Sequence, residues 1–199
     1  MTVWALPTLP APAEPLTERL QLRRWQPADL APLAAMNADP AVMRYFAGTA
    51  NADASQRSIA GWQAAFEARG WANWAVETKD SAEFIGFVGL TVPARVFSFS
   101  PCVEIGWRLA QRFWGRGYAT EAALAALALG FDRLRLAEIV SFTSLVNTPS
   151  RAVMQRIGLR DTGQDFDHPA LPEGSPLRRH CLYRITRAMW LAGAPGAVP

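Results

Sequence analysis

The feature that most constrains the fold is a strand, a glycine-rich turn and a helix that follow one another between Cys102 and Phe131. Apolar and polar residues alternate from Val103 to Leu109, which is the period of a half-buried strand. Apolar residues then recur at the spacing of a helix packed on a sheet: Leu124, Leu127, Ala128, Phe131 and Leu134. The segment Trp114–Ala119 between them contains two glycines. We therefore predict that a central strand passes through a tight turn directly into a helix.

The turn is a candidate anion site. A glycine-rich turn that opens a helix leaves several main-chain N–H groups without partners, and the helix dipole adds about half a positive charge there. Such a turn binds phosphate or pyrophosphate, although an ordinary tight connection has the same pattern. A dinucleotide fingerprint needs a third glycine where Thr120 stands, and the later acidic residue, Glu138, begins a strand instead of ending one. A Walker loop is excluded because no Gly-Lys-Ser/Thr is present.

The other patterns place this turn inside one mixed α/β domain. Residues 1–15 are rich in proline and should form an extended, poorly ordered tail; residues 16–190 form the domain, and residues 191–199 form a second tail. The periodicities predict the order β-α-α-β-β-β-α-β-α-β-β. Because a helix joins the central strand to the next one, these two strands should be parallel. The last helix should begin with Thr148 as its cap and Pro149 after it.

Composition excludes several classes of function. The formal charge is 20 − 17 = +3, and no run of Lys and Arg exceeds two residues, so the basic footprint of a nucleic-acid-binding protein is missing. No stretch approaches about 18 uninterrupted apolar residues and no signal peptide is visible, so we expect no membrane partner. Cys102 and Cys181 are predicted to be free thiols in a reducing cytoplasm, without a metal site. The sequence leaves a homodimer open.

The strand, turn and helix resemble the coenzyme-binding motif of the GNAT superfamily of N-acetyltransferases, whose pattern is Gln/Arg-x-x-Gly-x-Gly/Ala. Two registers fit, Arg-x-x-Gly-x-Gly from Arg112 and Trp-x-x-Gly-x-Ala from Trp114. We favour the second register because it brings the helix in at Thr120, as in the family. It also resembles the sequence pattern Trp-Gly-x-Gly-Tyr-Ala-Thr-Glu-Ala of the ribosomal-protein-alanine (RimJ/RimL-like) branch.

The resemblance implies a GNAT fold from about Leu16 to Trp190. That fold has a mostly antiparallel twisted sheet whose central parallel strand pair is splayed into a V, with about four flanking helices. A bulge in the central strand opens the V. The implied activity moves an acetyl group from acetyl-CoA to a primary amine, of a small molecule or a peptide, by direct attack in a ternary complex. No metal is implied.

The resemblance also implies which residues hold the coenzyme. The main-chain N–H groups of the turn would bind pyrophosphate, an arginine beside it would bind another phosphate, and an amide at the end of the central strand would pair with pantetheine. An Asn-x-x-Ser at the last helix would contact pantetheine and the sulfur. The implied set is Leu109, Arg112, Trp114, Gly115, Arg116, Gly117, Tyr118, Ala119, Thr120, Asn147 and Ser150.

Three residues are candidates for the chemistry. Glu104 is a charge in the central strand and is either a general base or a structural partner of Arg108. The family's tyrosine acid is absent from residues 151–154, so Ser150 is the candidate acid. Asp167 lies where the ribosomal-protein branch carries an acidic catalytic residue, although a polar loop explains it as well.

Further alternatives remain at this stage. An aromatic group is predicted to form core, with some rings touching the acceptor: Tyr45, Phe46, Trp62, Trp71 and Trp74. His180 beside Cys181 matches no zinc pattern and is expected to pack in the core or at an edge. The whole domain could instead be a non-catalytic acyl-CoA-binding module, and a nicotinamide enzyme is a third interpretation.

Overall fold

Eight strands form one mixed sheet in the computed structural model, which describes residues 5–193. In chain order they are β1 (Leu20–Arg23), β2 (Asn73–Thr78), β3 (Phe84–Thr91), β4 (Glu104–Leu109), β5 (Glu138–Ser144), β6 (Arg160–Asp161), β7 (Phe166–Asp167) and β8 (Arg179–Thr186). Their order is β1-β2-β3-β4-β5-β8-β6, and β7 also pairs with β8. Each named pair is antiparallel except β4 with β5, so the predicted central parallel pair is confirmed.

Six α-helices occur within residues 5–193, where about four were expected. They are α1 (Leu30–Ala38), α2 (Pro40–Met43), α3 (Ala52–Arg69), α4 (Tyr118–Ala128), α5 (Thr148–Arg156) and α6 (Arg187–Leu191). The helix α6 was not predicted. It begins where the Oγ1 atom of Thr186 accepts a hydrogen bond from the Met189 N–H at 3.2 Å, a local cap that needs no long periodic pattern.

The strands β4 and β5 meet at one end only. Their register contains a single pair, Glu104 with Val140, and the Val140 N–H donates to the Val103 carbonyl at 2.9 Å. The predicted V-shaped opening is therefore confirmed. The register of β4 with β3 runs without a shift from Glu104 to Leu109, so the expected bulge is absent from that ladder.

Small side chains let α4 lie close to the sheet. Its fully buried residues are Ala122, Ala123, Ala126 and Leu127. Leu124 and Ala128, which were predicted to face the sheet, are only partly buried. The helix then continues as a π-helical turn, Leu129–Arg133, which buries Phe131. This packing fixes the N-terminus of α4 beside the end of β4.

The proline-rich start of the chain packs on the domain, unlike the poorly ordered tail that was predicted. The indole N–H of Trp71 donates to the Pro7 carbonyl at 2.8 Å, and that of Trp74 donates to the Ala13 carbonyl at 2.6 Å. Both indoles are fully buried and need acceptors for their N–H groups. The extended chain supplies those acceptors, which composition alone did not indicate.

The ends of the predicted tails, residues 1–4 and 194–199, lie outside the described residues. Leu191, predicted to start the second tail, belongs to α6. Cys102 and Cys181 are buried free thiols, as predicted. Across residues 5–193 we find no helix with both the length and the apolar character that crossing a membrane requires.

Candidate active site

Two cavities adjoin at the V between β4 and β5. The first has a volume of about 580 Å³ and extends to the glycine-rich turn, and the second, of about 400 Å³, lies beside β4 and β8. The residues that line both are Tyr45, Phe46, Trp107, Arg108, Asn147 and Ser150. A ligand in one cavity can therefore meet a ligand in the other at this shared wall.

The turn presents free main-chain donors to the first cavity. Gly115 and Gly117 have φ angles of 73° and 82°, in the left-handed region that favours glycine. Gly117 is the N-cap of α4 and offers no side-chain cap. Among the described residues, no hydrogen-bond acceptor faces the N–H groups from Gly115 to Thr120. Such a set of unpaired donors at a helix N-terminus suits a phosphate group.

The turn is anchored on two sides. The indole N–H of Trp114 donates to the Leu109 carbonyl at 2.8 Å, which ties the turn to β4. The Arg19 guanidinium donates to the Arg116 carbonyl at 3.0 Å and to the Glu121 carboxylate at 2.6 Å. These bonds to the protein keep the N–H groups of the turn directed at the cavity.

Nine of the eleven predicted coenzyme residues line the first cavity. They are Leu109, Trp114, Gly115, Gly117, Tyr118, Ala119, Thr120, Asn147 and Ser150. Arg112 and Arg116 do not line it. Arg112 forms an ion pair with Glu83 at 2.6 Å, and both side chains are exposed. Besides Arg108, the cations that line this cavity are Arg44 and Arg156, which are both exposed and were not predicted.

Asn147 is the cap of α5, where Thr148 had been predicted. Its Oδ1 atom accepts from the Ser150 N–H at 3.3 Å, and its Nδ2 donates to the Thr143 hydroxyl at 2.8 Å. The Ser150 hydroxyl has no hydrogen-bond partner among the described residues and faces both cavities. It is therefore free to contact a ligand at the shared wall.

Glu104 lies in the second cavity and carries a strongly shifted pKa. It is the only carboxylate lining either cavity within residues 5–193. Burial raises the pKa of Glu104 to about 8, because a buried carboxylate loses the hydration that favours its charge. The alternative of a structural pair with Arg108 is wrong: the Arg108 Nη1 donates to the Asn37 Oδ1 atom at 2.6 Å instead.

Asp167 does not enter either cavity. It lies in β7, is exposed, and pairs with Arg178 and Arg179 at 3.5 Å each. The short strand β7 was not predicted, and its pairing with β8 turns Asp167 outward. Its neighbour His168 lines the second cavity instead.

Two histidines complete the far wall of the second cavity. The rings of His168 and His180 lie 4.8 Å apart, and burial is the main cause that lowers the pKa of each. The Nδ1 atom of His180 lies 3.0 Å from the Arg178 carbonyl and must donate to it, which leaves the Nε2 lone pair free. This pair could not be predicted from the sequence, because it depends on the pairing of β7 with β8.

Aromatic rings line much of the second cavity. Tyr45 and Phe46 form part of the shared wall, and contact of these rings with the acceptor stays a prediction. Trp71 and Trp74 are fully buried core residues, and Trp62 stacks on Trp25 at 4.9 Å. The remaining rings of the cavity are Phe87, Trp107 and Phe142.

A sheet that splays at one parallel pair, with unpaired donors where the central strand turns into a helix, defines a class of acyl-coenzyme-dependent transferases. The sequence model of the acetyltransferase (GNAT) domain family matches residues 19–160 of this chain. The chain therefore belongs to the GNAT acetyltransferase family and is an acyltransferase enzyme.

Relatives agree with this assignment. The chain is 32% identical over 145 residues to the uncharacterized protein YkkB of Bacillus subtilis (strain 168), covering 72% of this chain and 83% of that one. It is 30% identical over 149 residues to the uncharacterized N-acetyltransferase p20 of Bacillus licheniformis, covering 74% and 82%.

Solved structures show the same fold. A GNAT-family acetyltransferase from Bacillus anthracis is similar with a TM-score of 0.72 at 26% identity, over 88% of this chain and 99% of that one. RimJ of Mycobacterium smegmatis, solved in complex with CoA-disulfide, has a TM-score of 0.70 at 22% identity, over 92% and 95%. The predicted likeness to the ribosomal-protein branch thus extends to the fold.

Proposed function

We propose that this enzyme is an acetyl-CoA-dependent N-acetyltransferase that moves an acetyl group to a primary amine. The observation that carries the proposal is the pair of adjoining cavities, one ending at unpaired donors of a turn and the other containing a carboxylate with a raised pKa. The donor and the acceptor enter from different sides and meet at the shared wall. Direct attack then needs no covalent enzyme intermediate.

The turn would hold the pyrophosphate of the coenzyme. The N–H groups from Gly115 to Thr120 have no other acceptor in the described part of the chain, and the dipole of α4 favours negative charge there. Arg44 and Arg156 line the same cavity and would add positive charge for the remaining phosphate, the role first expected of Arg112 and Arg116.

The open edge of β4 would pair with pantetheine. The Ala110 N–H donates to the Ile85 carbonyl of the β3 side at 2.9 Å. Main-chain groups of successive residues in a strand point to opposite edges, so the N–H groups of Trp107 and Leu109 point into the V. One of them is available to pantetheine and the other to the thioester carbonyl, whose developing negative charge it would stabilise.

Glu104 would take the proton that the amine loses. The amine nitrogen bonds to the acetyl carbon, the carbon–sulfur bond breaks, and the proton passes to Glu104, directly or through water. A base with a pKa of about 8 is well matched to this step near neutral pH. The free Nε2 atom of His180 in the same cavity is the second candidate for this role.

Ser150 would return a proton to the departing thiolate. Its hydroxyl has no partner among the described residues and lies at the shared wall. A thiol ionises near pH 8.5, so the thiolate leaves readily and a weak acid suffices. Tyr45, whose side chain also lines both cavities, is the alternative proton donor.

The proposal is tested by thiol release from acetyl-CoA with a panel of small amines and peptide N-termini. We expect release with at least one amine, and loss of more than about tenfold in CoA affinity for the variant Gly117→Val, because a branched side chain disfavours the φ of 82°. Arg160→Met, at an exposed residue that lines neither cavity, is the matched control. CoA binding without release for any amine would instead support an acyl-CoA-binding module, and stabilisation by NAD alone would support a nicotinamide enzyme.

The buried free thiols favour a reducing compartment such as the cytoplasm.

A further inference from the structure

Arg108 is a partly buried cation that has no anionic partner among residues 5–193. Its Nη1 donates to the neutral Asn37 side chain, and its Nε is buried with no acceptor in residues 5–193. No ion pair of Arg108 occurs in that part of the chain, and Nη2 has no acceptor there either. Nη2 is not among the buried atoms, so it is open to the cavity that the side chain lines.

The surroundings hold the guanidinium in one place. It lies over the Phe46 ring at 4.1 Å and 5.3 Å from the centre of the Phe87 ring. Asn37, which accepts from Nη1, is itself fixed because its Nδ2 donates to the Ser55 hydroxyl at 3.0 Å. A charged group that is fixed by two rings and a buried amide is preorganised for a ligand.

The described part of the chain offers no anion to this cation. Glu104 is four residues earlier on the same strand face, about 13 Å away along an extended strand. Burial lowers the pKa of Arg108 to about 10 and raises that of Glu104 to about 8, as expected when neither charge stabilises the other. A buried cation without a partner is costly, so an anionic ligand group would be bound strongly there.

We infer that the acetyl acceptor carries a carboxylate next to its amine, and that Arg108 binds this carboxylate. The inference rests on the proposed function. Because Arg108 lines both cavities, a carboxylate held by it places an α-amino nitrogen at the shared wall, where the thioester would lie. The aromatic rings of the second cavity then receive an apolar side chain, and its volume of about 400 Å³ suits a free amino acid.

Three matched amines separate this inference from its rivals: L-phenylalanine, its amide, and 2-phenylethylamine. We expect kcat/KM to be at least about tenfold higher for phenylalanine, since a hydrogen bond to a charged group is worth roughly that factor or more. Arg108→Met should lower kcat/KM for phenylalanine about 10–100-fold, mainly through KM, and reduce the preference over the other two amines to within about twofold. Arg108→Lys should retain part of the preference, and the control Arg160→Met should retain all of it.

Other outcomes overturn the inference. Equal use of the three amines by the unmodified protein would remove the carboxylate from recognition. An equal fall in kcat for all three in Arg108→Met would show that Arg108 acts on the thioester or on the fold. A tenfold loss of CoA affinity in that variant would assign Arg108 to a coenzyme phosphate.

A binding measurement separates this inference from the proposed function. With CoA present, N-acetyl-L-phenylalanine should bind at least about tenfold more tightly than its amide, and Arg108→Met should abolish the difference. Equal binding of the two overturns the inference even when another amine is acetylated. Absence of thiol release with every amine overturns the proposed function instead.

Discussion

Two arginines of this sheet, the buried Arg23 and the partly buried Arg108, differ in how their charges are matched. Arg23 on β1 donates to both oxygens of Asp29 at 2.7 and 2.8 Å and to Glu77 at 2.8 Å, and all its charge is matched. Arg108 on β4 has one neutral hydrogen-bond partner among the described residues. The pKa shifts differ accordingly, since the two carboxylates raise the pKa of Arg23 and burial lowers that of Arg108.

This difference distinguishes a structural role from a role in ligand binding. A pairing that the folded chain completes by itself contributes to stability and is lost when one partner is removed. A charge that the chain leaves incomplete contributes little to stability and becomes available to a ligand. Arg23 belongs to the first kind, and we place Arg108 and Glu104 in the second.

The largest expected effect is on stability at the matched site. Arg23→Met leaves Asp29 buried and without its partner, which should lower the free energy of unfolding by about 3–5 kcal/mol. Arg108→Met, measured beside it by urea denaturation, should lower it by less than about 1 kcal/mol. If the two variants lose equal stability, the distinction between the two sites fails.

Removing the unmatched carboxylate should affect the rate instead. Glu104→Gln should lower kcat by about 100–1000-fold, because the amine loses its general base. Unfolding of the same variant should require no less urea than that of the unmodified protein at pH 7, because the variant need not take up a proton on folding. An unchanged kcat would transfer the role of base to His180, and the matching variant His180→Gln would then show the loss.

The pH dependence of kcat/KM also tests whether Glu104 is the general base. A base acts when it is deprotonated, so kcat/KM should rise with pH and level off above a pKa of about 8, increasing about 50-fold from pH 6 to pH 8. The free energy of unfolding has the opposite pH dependence. A raised carboxyl pKa favours the folded state at acid pH, and this contribution falls as pH rises toward 8. Glu104→Gln should remove the stability dependence and leave only the rise in kcat/KM that follows titration of the substrate amine, and an unchanged profile would contradict the assignment.

A smaller effect is expected at a partly exposed pair. Glu121, in the first turn of α4, accepts from the Thr17 hydroxyl at 2.6 Å and from Arg19. Glu121→Gln should cost about 1–2 kcal/mol in unfolding free energy and weaken CoA binding a few-fold, since Arg19 also holds the Arg116 carbonyl of the turn. Calorimetry with CoA would measure the second effect. Full CoA affinity in this variant would mean that the turn keeps its shape without the pair.

The sequence was sufficient where short-range patterns decide the structure. Alternation along β4 and the two glycines before α4 predicted the central strand, the turn and the helix, and with them most of the wall of the first cavity. These features depend on residues close in the chain, so periodicity and turn chemistry indicate them directly.

Features that depend on distant partners were missed. Arg112 looked suitable for a phosphate until Glu83, 29 residues earlier, was found beside it. Asp167 was chosen by position, but the pairing of β7 with β8 exposes His168 to the cavity in its place. The unmatched state of Arg108 could not be predicted, because it depends on which acids fail to come near it.

The single pair that joins β4 to β5 has a consequence for hydrogen exchange. In the free enzyme, the amides of Gly106 and Arg108 are protected by the β3 ladder, whereas those of Trp107 and Leu109 face the V and should exchange quickly. Alternating slow and fast deuterium uptake along β4 would thus identify the edge of this strand that faces the V. Bound coenzyme would slow exchange at the fast positions only.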